Sequence, residues 1–375
     1  MFKICVDPTK LSFDYVPPRL PCREKHLQEL ANLFRHTVHS RITQNVFLHG
    51  YVGTGKTVTA RRFCIDFKNM CLSHNIPVEY VHINCRQRMN EVSVMTALLR
   101  YFQPDFPDRG FSVQDMLGVL EKILNWKKMH LLLVLDEVDV LLRKKADLIY
   151  NITRINEDAL RDGRVSLILI SQINVFQLLD PSSMSTFKRS NIIRFERYAA
   201  EELYQILTAR AEESLAPGTY SDEVIRFIAE VASKTGDARH AIELLENAVI
   251  LAEGRNANEI TIEDARAARA REVGLDVELL ENLDRHKKLV LLAISQTTKT
   301  RSEVSSGEIE RTYASLCELY GERKRGHTQF WKYLKELADM GLITARSTHT
   351  QGTTTLISLS DVSAKQLEEI IEKML

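Results

Sequence analysis

The stretch Gly50-Tyr51-Val52-Gly53-Thr54-Gly55-Lys56-Thr57 decides the fold of this chain. Its pattern is a glycine, four residues, then Gly-Lys-Thr, and the glycines let successive backbone N–H groups turn inward on a phosphate with no Cβ in the way. The chain has only 15 glycines, and three of them fall in the six positions from Gly50 to Gly55, so the clustering is a local demand. A short apolar run, Val46-Phe47-Leu48-His49, precedes the stretch and a helical pattern follows it. The loop therefore sits where a strand turns into a helix, whose N-terminus faces the same anion. Lys56 supplies a point charge for the terminal phosphates, and Thr57 supplies a hydroxyl for Mg²⁺.

Working outward, Leu131-Leu132-Leu133-Val134-Leu135-Asp136-Glu137 is an apolar strand that ends in two carboxylates. Such a strand places Asp136 at the carboxyl edge of a sheet beside the phosphate loop, where it holds Mg²⁺ through water, and leaves Glu137 to polarise the attacking water. Further strands are expected at Val78–Asn84, Val165–Ile170 and Ile192–Phe195, each separated from the next by a helix-length segment. A helix over Arg23–Phe34 precedes the first of them, with Leu27, Leu30, Leu33 and Phe34 at three- and four-residue spacing. Strands alternating with helices predict an α/β domain, a parallel sheet covered on both faces.

After Phe195 the strand signal stops. Residues 200–272 read as four helices broken by Ala216-Pro217-Gly218, Lys234-Thr235-Gly236 and Gly254-Arg255-Asn256. From near Arg285 the order is helix, helix, helix, hairpin, helix. We therefore expect three regions: a P-loop α/β base over 1–198, an all-α domain over 199–275 and a winged-helix domain over 276–375. A length of 375 residues exceeds one hydrophobic core and agrees with several domains.

Lys and Arg total 50 and Asp and Glu total 50, so the formal charge is zero. That balance argues against a uniformly basic nucleic-acid coat and leaves room for a local patch. From Arg323 to Ile357 six basic residues (Arg323, Lys324, Arg325, Lys332, Lys335, Arg346) stand against Glu336 and Asp339, a net of +4. The helix Thr328–Met340 puts Phe330, Leu334 and Leu337 on one face, leaving Gln329, Lys332 and Tyr333 elsewhere on its surface near the end that a helix-turn-helix presents to the major groove. The hairpin that follows has a tip of Ser347 to Gly352, including His349, with donors and no acid, as a wing on phosphate requires. Double-stranded DNA is the expected partner, with Arg325, Thr328, Gln329, Lys332, Arg346 and His349 as its contacts. Six scattered cysteines without close spacing read as reduced thiols, and the apolar run Leu131–Leu135 is far too short to cross a bilayer, so no membrane partner is expected. The N-terminal residues hold no apolar core long enough for a secretory signal, so a cytoplasmic protein is expected, and with DNA as its expected partner a nucleoid-associated one.

Taken together these motifs resemble an AAA+ ATPase, and in particular the archaeal replication initiators of the origin-recognition and cell-division-cycle type. Tyr15-Val16-Pro17-Pro18-Arg19-Leu20-Pro21-Cys22-Arg23-Glu24 resembles that family's adenine-side segment, and Ile83-Asn84-Cys85-Arg86-Gln87 the strand end that leads into its initiator-specific insertion. Leu179-Asp180-Pro181, Phe195 and Tyr198 with Glu201-Glu202-Leu203 continue the likeness, and Gly236-Asp237-Ala238-Arg239 is similar to its sensor-two motif. The resemblance is collinear over nearly the whole chain. It implies ATP or ADP with Mg²⁺ as ligands, Val16, Arg23, Gly53, Thr54, Gly55, Lys56, Thr57, Tyr198 and Arg210 around the nucleotide, and Arg239 on the γ-phosphate. Glu137, Arg239 and a sensor-one residue are then the catalytic set. Gln172 takes the sensor-one place, where the family most often has Asn, and a shift of register puts Asn174 there instead. No arginine directly follows Asp180-Pro181, which leaves Arg189 either a trans-acting finger or an ordinary surface arginine. The implied function is a weak ATPase that switches an origin-binding initiator, with a replicative helicase and paralogous initiator subunits as partners. The alternatives are an archaeal signalling ATPase that joins a P-loop to a winged helix, and a nucleotide-binding transcription regulator.

Overall fold

The apolar runs expected as strands pair into one parallel sheet. The computed structural model describes residues 4–40, 42–143, 147–157, 162–173, 191–273, 277–299, 301–348, 354–359 and 363–375. They form two compact units, one of residues 14–202 with 235–238 and the other of 4–13, 203–234 and 239–375.

In the first unit the chain runs α1 (Glu24–Ser40), β1 (Asn45–Gly50), α2 (Lys56–Ser73), β2 (Val78–Asn84), α3 (Glu91–Phe102), α4 (Val113–Trp126), β3 (His130–Asp136), α5 (Asp139–Leu142), α6 (Leu148–Arg154), β4 (Arg164–Ser171) and β5 (Ile192–Phe195). The strands lie in the order β2-β3-β4-β1-β5, all parallel. β1, β3 and β4 each run one residue beyond the expected apolar core at both ends, because backbone pairing continues where side-chain burial no longer demands an apolar residue.

All seven residues of β3 are buried. Leu131, Leu133 and Leu135 share a core with Val94, Leu98 and Leu120 of α3 and α4, whereas Leu132 and Val134 share one with Phe34, Phe63 and Phe67 of α1 and α2. Period-two alternation sends successive leucines to opposite faces, and helices on both faces explain an uninterrupted apolar run. β1 lies beyond β4, two positions from β3, and the chain reverses direction across the sheet between them, so the carboxyl ends of β1, β3 and β4 border a topological switch point.

The second unit continues with α7 (Ala200–Ser214), α8 (Asp222–Ser233), α9 (Ala238–Gly254) and α10 (Ile262–Val273), the four expected helices. Residues 4–13, which the sequence reading placed with the base, group here. Val6 N–H donates to the Ser214 carbonyl at 2.8 Å and Ala216 N–H to the Ile4 carbonyl at 2.9 Å. α11 (Val277–Glu281), α12 (Arg285–Thr297), β6 (Val304–Ser305), α13 (Ser306–Leu319), α14 (His327–Asp339), β7 (Ile343–Thr348), β8 (Thr354–Leu359) and α15 (Ala364–Met374) complete it. The sheet order β6-β8-β7 adds a strand to the expected hairpin, and two residues are too few to leave an alternation in sequence. Among the described residues no helix is long and apolar enough to cross a membrane.

A buried arginine joins the lid helices to the winged-helix region within this unit. Arg266 of α10 is 0% exposed and donates to the carbonyls of Thr298, Arg301 (3.0 Å) and Ser302 (2.9 Å). Beside it Glu223 accepts from the Ser302 N–H and hydroxyl at 2.7 and 2.6 Å, and Glu263 accepts from Ser363 and from the first-turn N–H groups of Ala364 and Lys365 in α15. Arg266→Ala leaves the buried Thr298 carbonyl and the part-buried contacts to Arg301 and Ser302 without their donor, and is expected to cost about 3 kcal/mol in urea unfolding of the second unit.

Candidate nucleotide site and DNA-binding surface

The phosphate loop joins β1 to α2. Gly53 and Gly55 have φ of +69° and +86°, the left-handed region that disfavours a side chain. A Cβ on Gly53 would lie 1.7 Å from Asp237 Oδ1, and one on Gly55 would lie 2.5 Å from the Tyr198 hydroxyl, so both glycines also admit close neighbours. Among the described residues, no acceptor is matched to the backbone N–H groups of Val52, Gly53, Thr54 and Gly55. Lys56 is buried, and its ammonium donates to the carbonyls of Gly50 at 2.8 Å and Tyr51. A run of unmatched donors around one ammonium fits a polyphosphate.

Arg23 and Tyr198 meet behind this loop. The Arg23 guanidinium lies 3.8 Å from the Tyr198 ring centroid, and Nε donates to the Thr54 carbonyl at 3.0 Å. Both side chains are buried and brace the loop from behind. The Tyr198 N–H donates to Gly236 at 3.2 Å and the Ala238 N–H to Gly53 at 3.0 Å, which ties the Gly236-Asp237-Ala238 segment to the loop. Val16 is half-buried in the irregular stretch before α1.

Asp136 ends β3 with its carboxylate buried. Oδ2 accepts from Thr57 Oγ1 at 2.7 Å and His82 Nε2 at 3.2 Å, and Oδ1 from the Glu137 N–H at 2.9 Å. Burial pushes this carboxyl up, but the hydrogen bonds from His82 and Thr57 outweigh it and hold the group below its ordinary value. Arg61, 3.4 Å from His82 Nδ1, can only donate, so the imidazole proton sits on Nε2 and faces Asp136. Thr57 and Asp136 are therefore the pair that would hold Mg²⁺, and their oxygen donors suit a hard cation.

Glu137 follows in a left-handed conformation, φ +52°. Arg86 Nε approaches its Oε2 at 2.9 Å, a meeting of charges without hydrogen-bond alignment, so this buried oxygen has no hydrogen-bond donor among the described residues. The parallel register pairs Asn84 with Asp136, which brings the chain after β2 out at the same edge as Glu137. His82 and Arg86 were missed as site residues, and the one signal available was a histidine within the Val78–Asn84 strand pattern. Gln172 is exposed in a bend just past β4, and Ser171 before it donates to Asp139 at 3.0 Å. Asn174 and Arg189 lie outside the described residues. Arg239 is the second residue of α9 and exposed, and Arg210 is buried in α7, donating to the Lys10 carbonyl at 2.9 Å.

At the other end, the N-cap of α14 is Gly326, which has no side chain to cap the helix, and Arg323, Lys324, Arg325 and Thr328 around that start are exposed. Phe330, Leu334 and Leu337 are buried as the spacing predicts. Tyr333 is a correction: expected on the surface, it is 7% exposed and stacks on His286 with centroids 6.2 Å apart, because the domain packs α14 over a wider face than three residues. Gln329 is half-buried, and Lys332 is exposed, 3.9 Å from Glu336. Arg346 is exposed on β7, 3.7 Å from Glu230. His349 lies outside the described residues.

Three family models match the chain in tandem: an AAA ATPase domain over residues 19–170, the Cdc6 AAA+ ATPase-type lid domain over 204–270, and the CDC6 C-terminal winged helix domain over 278–369. ORC1-type DNA replication protein 2 of Sulfurisphaera tokodaii is 31% identical over 96% of this chain and 90% of its own length. The crystal structure of Cdc6p from Pyrobaculum aerophilum is similar at 32% identity and a TM-score of 0.81, covering 99% of this chain and 98% of that one. The Aeropyrum pernix ORC1 protein, solved in complex with DNA, is similar at 31% identity and a TM-score of 0.66, covering 99% and 97%.

The buried Lys56 ammonium donates to the loop carbonyls of Gly50 and Tyr51. Lys56→Ala is expected to weaken ATP binding by at least about tenfold in a calorimetric titration, since it removes a charge-assisted contact to phosphate.

Proposed function

The chain belongs to the Cdc6/ORC1-type family of DNA replication proteins, and we propose that it is an ATP-dependent initiator whose nucleotide state decides how it holds origin DNA. The observation that carries this reading is the shared Asp136 carboxylate. It joins the phosphate-loop threonine to the strand end that bears Glu137, the arrangement that phosphoryl chemistry requires.

Val52 to Gly55 and Lys56 bind the phosphates, and Thr57 with Asp136 holds Mg²⁺, which supplies charge neutralisation when bound. Glu137 accepts a proton from the attacking water, Gln172 orients that water, and Arg239 reports the γ-phosphate. Turnover is slow, because the Glu137 carboxylate is engaged by Arg86 and must leave it before it can act as a base. Tyr198 and Arg210 support the nucleotide from the start of the lid.

Origin duplex is held by the winged helix through Arg325, Thr328, Gln329 and Lys332 at the start of α14 and through Arg346 and His349 of the wing. What supports this is an uncapped helix start ringed by exposed cations. Lysines and arginines there give affinity on any duplex, and Gln329 reads a base edge. A replicative helicase and paralogous initiator subunits complete the proposed set of partners, and the site of action is the cytoplasmic nucleoid.

Glu137→Gln is expected to lower turnover by about 10²-fold or more while ATP affinity is kept. Arg86→Ala is expected to raise turnover roughly two- to fivefold, the rate equivalent of releasing an exposed ion pair worth about 0.5–1 kcal/mol. Duplex affinity should fall with salt at a log–log slope of about −2.7 for three phosphate contacts and differ between ATP and ADP. A chain that binds no duplex at any salt would instead be a signalling ATPase, and one that binds DNA alike with either nucleotide and has no turnover would be a transcription regulator.

A further inference from the structure

We infer that His286, buried beneath the DNA-facing helix, is a positioning residue that presents Arg325 to DNA. His286 lies on α12 and is 7% exposed. Its Nε2 stands 3.0 Å from Arg325 Nε, and its Nδ1 2.9 Å from the Tyr313 hydroxyl. A guanidinium only donates, so Nε2 accepts, the imidazole is neutral, and its proton lies on Nδ1 toward Tyr313. The Tyr313 hydroxyl also stands 3.5 Å from the Arg325 backbone N–H, so one buried pair engages the main chain and the side chain of the same arginine. Burial holds the Tyr313 phenol well above its ordinary value, which keeps it a protonated partner.

The consequence lies in what is left over. Holding Arg325 by Nε fixes the plane of the guanidinium and leaves the two terminal amino groups without a partner among the described residues, the pair of donors that forms a bidentate contact with phosphate or with a guanine edge. An unrestrained arginine at the exposed start of a helix would lose rotamer entropy on binding, and one already clamped loses less. The floor that holds it is rigid: the His286 ring stacks on Tyr333 with an interplanar angle of 9°, and Tyr313 stacks on Phe330 with centroids 5.7 Å apart. Both partners belong to α14, so the same two rings set the height of the helix and the reach of the arginine. Glu322, 3.8 Å from Nε2, is drawn aside by Arg285 at 2.9 Å and does not replace His286 as the acceptor.

This inference rests on the reading of α14 as the DNA-facing helix, and a double-mutant cycle separates the two. Duplex affinity of the full chain is measured by fluorescence anisotropy for the wild type, His286→Asn, His286→Gln, Arg325→Ala and the combined variants. Asn keeps a polar group near Nδ1 and withdraws the acceptor from Arg325, whereas Gln carries an amide oxygen to the Nε2 position. The expected result is a loss of about fivefold for His286→Asn, recovery in His286→Gln, and a loss below about twofold when His286→Asn is placed in the Arg325→Ala background. Equal losses in both backgrounds would overturn the inference and make His286 a fold residue only. Failure of the wild type to bind any duplex would remove the reading of α14 and the inference with it.

Discussion

The fold of the first unit turns on one buried carboxylate. Asp136 is carried by a wholly buried strand to the edge of the sheet, and an ionised group there is tolerated only when its oxygens are matched by donors. Three are supplied, from three places: Thr57 in the first turn of α2, His82 on the neighbouring strand β2, and the N–H of Glu137 itself. Meeting the demand of one charge therefore fixes the phosphate-loop helix against two strands. It also accounts for the unusual backbone of Glu137, since curling the N–H back onto Asp136 goes with φ of +52°, a conformation that costs a non-glycine residue roughly 1 kcal/mol or more. The strain sits on the residue proposed as the general base, and Arg86 meets its carboxylate at 2.9 Å.

The second unit is organised around a buried charge of opposite sign. Arg266 has no water to solvate it, and burial lowers its pKa from the ordinary value, yet three backbone carbonyls from the loop after α12 accept its protons. Those carbonyls are the acceptors a loop leaves unpaired, so the arginine satisfies the loop as much as the loop satisfies it. With Glu223 on Ser302 and Glu263 on the start of α15, lid helices supply acceptors to N–H groups of winged-helix elements, adding to the cap that Ser363 itself gives α15. A displacement of α10 must then move Thr298, Ser302 and the start of α15 with it, because sliding past would strand the buried Arg266 guanidinium.

How much of this was legible beforehand follows from the range of each interaction. The phosphate loop, the strand of Leu131–Leu135 and the apolar face of α14 are local patterns, and each appears where spacing placed it. His82 and Arg86 escaped because their roles depend on β2 lying beside β3 in register, with Asn84 opposite Asp136, which no local spacing encodes. Arg266 sits on a helix with no strong apolar stripe, and its partners lie more than thirty residues ahead. Tyr333 escaped for a related reason: three apolar residues on one face sufficed for a helix, and the fourth buried position is paid for by an aromatic partner on α12 that periodicity cannot see.

The charge count invites a further step. Six basic residues against two acidic ones over Arg323–Ile357 suggest a surface with charge to spare, yet folding brings in carboxylates from outside the segment. Glu310 takes Lys324 at 3.2 Å and His327 at 2.8 Å, and Glu230 takes Arg346 at 3.7 Å. Among the described residues only Arg323 and Lys335 of the six lack a polar side-chain partner. Exposed pairs of this kind are worth little and yield readily to a phosphate, so on the proposed reading DNA would gain these cations by exchange and not by simple addition. Exchange lowers the affinity for any duplex met by chance, because a carboxylate must be displaced before each phosphate is bound. It leaves the advantage to contacts whose geometry is already set, and Arg325, held through a neutral imidazole in place of a carboxylate, is free of that competition. On that proposal a chain of zero net charge would hold DNA where its framework prepares a cation, and hold it weakly elsewhere.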